Sequence, residues 1–242
     1  MRIGILGTGS MARVLGGRWA RAGHDVLVGG RDTDRAAALA DRIGARSGTL
    51  RDAAVHGGDA VLLAVPFAAA IDVASGSAGA LHGRTLIDCT NPVVEGFVLA
   101  TQGGLSAAER IAAAAPGASV VKAFNVCHES VWSLNPPVFD GRPLAVPICG
   151  DDERALEAVR LLVRDLGCVP VDAGGLARAG LLEATAALLI GLWVGEGVDA
   201  QAIAPPLEHA GPPSPRRFGR LVGDGGRGLR NPDDEHRHHH RQ

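Results

Sequence analysis

A glycine-rich turn between a short apolar run and an amphipathic stretch constrains this chain most. Arg2-Ile3-Gly4-Ile5-Leu6 is apolar after its first residue and runs into glycine, the pattern of a buried strand. Gly7-Thr8-Gly9-Ser10-Met11-Ala12 follows at once. Met11, Val14, Leu15 and Trp19 then recur at helical spacing, and Gly23 supplies a stop. Between a strand and a helix each position has a physical task. Gly7 permits the tight turn, Gly9 lacks the Cβ that would hold a diphosphate off the backbone, and Ala12 is small enough for close helix–strand packing. The N–H groups and dipole of the first helical turn favour an anion. The same residues also suit a plain turn in some other α/β protein, so the rest of the chain must decide.

It continues the alternation. Asp25–Val28 reads as a strand and Thr33–Ile43 as a helix closed by Gly44. A short strand near Arg46 and a helix at Leu50–His56 follow. Further strands are predicted at Ala60–Val65, Thr85–Asp88, Ser119–Ala123, Pro143–Cys149 and Cys168–Asp172. Helices are predicted at Phe67–Ser75, Ser106–Ala115 and Arg154–Leu166, with one apolar helix at Leu181–Trp193. The expected fold is therefore α/β, Rossmann-type and doubly wound, with a mostly parallel sheet. Residues 1–175 form the expected nucleotide-binding domain and 176–204 a small C-terminal helical part. Residues 205–242 are Pro-, Gly-, Arg- and His-rich, a composition expected to be disordered. Three consecutive histidines near the end would bind stray divalent metal but lack a scaffold, so no metal site is expected.

Composition narrows the class. The net charge of -2 gives no field for nucleic acid or an anionic membrane. No signal peptide is evident, and no apolar stretch of about 18 residues escapes Gly, Pro or charge. Cys89, Cys127, Cys149 and Cys168 form no CxxC pair, so buried free thiols in a reducing compartment are expected. The expectation is a cytoplasmic protein, with neither a nucleic-acid nor a membrane partner.

The end of the second strand bears on cofactor choice. An NAD-selective site places Asp or Glu there for the ribose 2′-hydroxyl. This chain has Val28-Gly29-Gly30-Arg31-Asp32-Thr33. Arg31 can take a 2′-phosphate through paired charge-assisted hydrogen bonds, with Thr33 and Arg35 in support, which points to NADP. In the opposing reading Arg31 is a solvated surface residue and Asp32 holds a ribose hydroxyl.

Three more strand ends carry unusual punctuation: Val65-Pro66, Asn91-Pro92 and Lys122-Ala123-Phe124-Asn125. The prolines would stop the strands and offer carbonyls to a ligand. Asn91 and Asn125 can donate and accept, as a carboxamide or ribose requires. Lys122 is the sole lysine beside 23 arginines among the 24 basic residues. It reads equally as a cofactor contact or as a structural ion pair, with Asp88 as a partner. No Ser-His-Asp or Cys-His catalytic set is supported, so no catalytic residue is assigned; hydride transfer depends on positioning.

The order of these segments, together with Val146-Pro147-Ile148-Cys149-Gly150-Asp151-Asp152 and Val171-Asp172-Ala173-Gly174-Gly175-Leu176, resembles the coenzyme F420-dependent NADP oxidoreductase family over about residues 1–195. The resemblance implies hydride transfer between NADP(H) and the deazaflavin coenzyme F420 as co-substrate, and usually a homodimer. By position it makes Thr8, Ser10, Met11 and Arg31 contacts of NADP. It places Pro66, Asn91, Ala123 and Asn125 on the nicotinamide side. From about Val198 onward the chain departs from the family pattern, in the part that helps shape the deazaflavin pocket. An NADPH-dependent reductase of an imine or flavin, and a non-catalytic NADP-binding sensor, therefore stay open.

Overall fold

The computed structural model describes residues 1–198 and Ile203. The chain opens with β1 (Arg2–Leu6), α1 (Ser10–Arg21), β2 (Asp25–Gly29), α2 (Thr33–Ile43), β3 (Arg46–Gly48) and α3 (Leu50–His56). It continues with β4 (Ala60–Leu63), α4 (Phe67–Leu81) and β5 (Thr85–Asp88). A two-stranded ribbon, β6 (Val93–Val94) and β7 (Val98–Leu99), precedes α5 (Ala107–Ala114) and β8 (Ser119–Lys122). A second ribbon, β9 (Val138–Phe139) and β10 (Arg142–Pro143), leads to β11 (Ala145–Gly150), α6 (Glu153–Arg164), β12 (Val169–Asp172) and α7 (Ala179–Ile190).

The main sheet has the order β12-β11-β8-β5-β4-β1-β2-β3. Its pairs are parallel except β11 against β8. The chain winds outward from β1 through β2 to β3, then returns to β4 on β1's other side. The β1/β4 boundary is thus where strand order reverses, the place at which open α/β sheets bind ligands.

Alternation along the strands builds two apolar layers. Ile3, Ile5, Val26, Val28, Leu62, Ile87 and Val121 face α1, α2 and α6. Leu6, Leu27, Val61, Leu63, Leu86 and Val120 face α3, α4, α5 and α7. Both faces are covered, which allows the strands to be almost wholly apolar.

Several bounds differ from the sequence reading. α4 runs on to Leu81, through Gly76 and Gly79, because Ser77 and Leu81 are buried and tertiary packing outweighs the cost of helical glycine. α7 stops at Ile190 and continues as a wider π-helical turn, Gly191–Gly195. Residues 1–198 belong to one compact unit, and α7 packs on α5 within it. The stretch Leu176–Gly195, mean hydropathy 1.5, is long and apolar enough to cross a membrane by length and composition, with 28% of it buried here. Arg178 and Glu183 interrupt it. The expectations for residues 205–242, including the histidine run, lie outside the described residues.

Candidate functional site

One row of the sheet sets up the site. Gly29 pairs with Leu6, Leu6 with Leu63, Leu63 with Asp88, and Asp88 with Lys122. Every segment singled out in the sequence leaves the sheet just beyond that row. The segments are Gly7–Ala12, Gly30–Thr33, Ala64–Pro66, Cys89–Pro92 and Ala123–Asn125. Register thus turns five distant stretches into one edge.

At its centre lies the glycine turn. Gly7 has φ 128°, and a Cβ there would overlap the Ala64 carbonyl, so only glycine fits. Its N–H donates to the Gly29 carbonyl at 2.8 Å. Gly9 is the N-cap of α1, and a Cβ on it would find nothing nearer than the Ala64 oxygen at 4.0 Å, leaving its outer side open to a ligand. Ala12 is fully buried beneath the turn.

Helix capping marks the same edge. Asp32, Thr49, Ser106 and Asp152 cap α2, α3, α5 and α6 with side-chain oxygens. Gly9 and Pro66 stand at the N-cap positions of α1 and α4, which have no side-chain cap among the described residues. α7 lacks one too, but its first residue, Ala179, is buried. Both α1 and α4 open into one cavity of about 540 Å³ lined by Gly9, Ser10, Met11, Val65, Pro66 and Asn91. Uncapped N–H groups and two helix dipoles there suit phosphate oxygens.

At one end of the row, Arg31 is exposed and, with Thr33, lines a cavity of about 570 Å³. Thr49, Leu50 and Arg51 from the start of α3 form another wall. Asp32 accepts the N–H groups of Asp34 and Arg35, at 3.1 and 3.0 Å, through one carboxylate oxygen. Its carboxylate is thereby engaged as the cap of α2. Sequence reasoning missed Arg51, because nothing local relates the β3–α3 turn to the end of β2.

At the other end, Met11, Cys89 and Asn91 form a wall common to the 540 Å³ cavity and a further one of about 440 Å³. Phe124, Asn125, His128, Ile190 and Trp193 also line the latter. Asn91 Nδ2 donates to the Asn125 carbonyl at 2.7 Å, and Asn125 Nδ2 to Asn91 Oδ1 at 3.0 Å. Among the described residues, Asn125 Oδ1 and Thr90 Oγ1 are buried without a hydrogen-bond partner. A buried acceptor of that kind is costly unless a ligand fills it. Phe124 holds the loop in place. It adopts φ 64°, uncommon for a bulky residue, and meets Trp19 and Trp132 edge-on at 5.9 and 5.4 Å. Ile190 and Trp193 were not identified from sequence as site residues, since they lie 65 and 68 residues beyond Asn125.

Lys122, Ala123 and Pro92 line none of these cavities; the structure places them beneath the site. Lys122 Nζ lies 2.9 Å from Asp88 Oδ2, 2.9 Å from Glu183 Oε1 and 2.6 Å from the Thr90 carbonyl, with all three side chains fully buried. Glu183 also accepts the N–H groups of Ala107 and Ala108 at the start of α5. Burial works to lower the Lys122 pKa, but Asp88 and Glu183 outweigh it and the net shift is upward. Lys122 is therefore a structural cation that fixes the carbonyl next to Asn91. Ala123 is buried and donates to the Asp88 carbonyl. The proline carbonyls expected to face a ligand accept instead from within the chain, Pro66 from Ala69 and Pro92 from Ala100.

All four cysteines are free thiols. Burial pushes the Cys89 thiol up to about 12, with Asp88 adding to it, and the Cys127 thiol up to about 11. Neither is a nucleophile near neutral pH.

Residues 2–92 match the family model described as NADP oxidoreductase coenzyme F420-dependent. The F420-dependent NADP reductase of Methanothermobacter thermautotrophicus is 30% identical over 213 residues, which are 79% of this chain and 89% of that protein. The chain belongs to the coenzyme F420-dependent NADP oxidoreductase family. A crystal structure of a protein from Arthrobacter sp. FB24 matches this family member with TM-score 0.73 and 27% identity, over 82% of this chain and 96% of that one. The family's reach is wider. Metalloreductase STEAP3 of Rattus norvegicus is 35% identical over 192 residues, 79% of this chain but only 38% of that protein. The chain thus spans about two fifths of the length of that relative.

Proposed function

We propose that this NADP-dependent oxidoreductase passes a hydride from NADPH to a planar acceptor of the deazaflavin or flavin type. The observation that carries the proposal is the shared wall of Met11, Cys89 and Asn91 between two cavities. One cavity joins the uncapped starts of α1 and α4; the other is walled by Phe124, Ile190 and Trp193. A donor ring and an acceptor ring in neighbouring cavities meet the positioning demand of hydride transfer.

The residues fit the cofactor. The reduced nicotinamide supplies the hydride, and the chain supplies binding and orientation. The first turns of α1 and α4 would hold the diphosphate, and Arg31 and Thr33 the adenosine end. The unpartnered Asn125 Oδ1 would accept a carboxamide N–H, and its locked pairing with Asn91 would keep that acceptor still. The apolar side chains of Phe124, Ile190 and Trp193 would exclude water from the acceptor face.

F420 as the acceptor is supported by the family match and the M. thermautotrophicus relative. The likeness to a metalloreductase supports a second reading, in which a flavin or a metal complex takes the electrons. Mixing the protein with NADPH and oxidised F420, and in parallel with a flavin, separates these by absorbance. Catalytic bleaching of F420 is expected. NADPH binding with turnover of neither acceptor would replace the enzyme by a cofactor-binding sensor.

A further inference from the structure

The ribbon β6–β7 touches both halves of the site. Val93 and Val94, its first strand, line the 540 Å³ cavity. Its tip is Glu95-Gly96-Phe97, with Gly96 at φ 78° and Phe97 at φ 58°. Glycine takes that left-handed conformation freely, but a bulky residue keeps it only where its surroundings hold it. What holds Phe97 is the π-helical turn after α7. A Cβ on Gly191 would lie 3.3 Å from Phe97 Cβ, and one on Gly195 would lie 2.9 Å from Phe97 Cε2. The side chain thus rests on a seat of two glycines four residues apart, on the same side of the turn.

The seat matters for what the turn carries. Ile190, Trp193 and Val194 line the 440 Å³ cavity. Glycine is a poor helix former, so a turn with Gly191 and Gly195 needs packing from outside to keep its shape. Glu183 anchors α7 upstream through Lys122 and the start of α5. Phe97 anchors the far end. It is 37% exposed and lines neither cavity, so any effect it has on the site passes through the turn.

We propose that Phe97 is a positioning residue: seated on Gly191 and Gly195, it holds Trp193 as a wall of the acceptor cavity. Because the same ribbon borders the cofactor cavity, this contact also fixes the gap between donor and acceptor rings. The proposal rests on the reading that the 440 Å³ cavity takes the acceptor.

The test compares wild type, Phe97→Ala, Gly195→Ala and the double variant, all as the full chain. The first readout is acrylamide quenching of tryptophan fluorescence. Trp19 and Trp132 are buried and Trp193 is 39% exposed, so the quenchable emission belongs to Trp193, and Trp193→Phe checks that assignment. Phe97→Ala should raise quenching and shift emission to the red. Gly195→Ala, which displaces the ring instead of removing it, should act in the same direction alone and add little to Phe97→Ala, as expected of residues in contact. The second readout is steady-state kinetics with NADPH and oxidised F420, or with flavin mononucleotide where F420 is not turned over. In Phe97→Ala the acceptor KM should rise about tenfold or more, while NADPH affinity changes less than about twofold. Melting curves check the fold; if Phe97→Ala melts lower, Gly195→Ala carries the comparison. Unchanged quenching, additive effects in the double variant, or equal weakening of NADPH and acceptor overturn the proposal. Wild-type protein that turns over neither acceptor overturns the hydride-transfer reading instead, and quenching alone then decides whether Phe97 holds Trp193.

Discussion

Asp88 and Lys122 are register partners on β5 and β8, and their side chains meet at 2.9 Å with no exposure to solvent. Glu183 closes the group from α7, so the helix that supplies Ile190 is tied to the strand ends that supply Asn91 and Asn125. One cation between two carboxylates leaves an excess negative charge, which the N–H groups of Ala107 and Ala108 offset at Glu183. Lys122→Met should therefore destabilise the fold by about 3–5 kcal/mol, because it strands two buried carboxylates. Chemical denaturation measures this. A loss below about 1 kcal/mol would mean that the carboxylates find protons or water at little cost.

Arg31→Ala removes one wall of the adenosine end. A charge-assisted hydrogen bond contributes about 1.5–3 kcal/mol, so NADPH affinity should fall by roughly ten- to 150-fold, with NADH nearly unaffected. Fluorescence titration with each nucleotide reads this directly. Equal weakening of both would return Arg31 to the role of a solvated surface residue.

Asp32 separates the two cofactor readings from the other side. Its carboxylate caps α2 through Asp34 and Arg35. Asp32→Ala should cost about 0.5–2 kcal/mol of stability and leave the preference for NADPH over NADH unchanged. If NADH binding collapses instead, the carboxylate serves a ribose as well as the helix.

Much of this was legible in the sequence, and the reason is locality. The glycine turn, the Gly29-Gly30 end of β2 and the prolines after β4 and β5 are short-range signals, and each lies where strand alternation put it. The antiparallel pairing of β11 on β8 was not legible, because its Cys149–Lys122 register depends on a long connection that includes the β9–β10 ribbon. Lys122 drew notice as the lone lysine, yet its partner Glu183 sits 61 residues on, inside an apolar helix where a carboxylate looks out of place. Arg51 and Trp193 became candidate site residues only when folding brought separate elements around a cavity. No local pattern encodes that kind of neighbourhood.

The thiols give the chain a pH signature. Burial holds the Cys89 thiol at about 12 and the Cys127 and Cys168 thiols at about 11. An unfolded thiol ionises near pH 8.5. A folded pKa above the unfolded value means that stability is whole below about pH 8.5 and is lost as pH rises toward the folded values, since the unfolded chain sheds its protons first. Denaturation midpoints should accordingly fall steadily from about pH 8.5 upward. Cys89→Ala should make that decline shallower, as the thiol with the largest upward shift is removed. The same burial should slow alkylation by iodoacetamide at pH 8 in the native protein far below the rate in denaturant, read by mass spectrometry. Rapid native labelling of Cys89 would show that the wall it shares with Met11 and Asn91 opens to solvent, and that the water exclusion invoked for hydride transfer fails there.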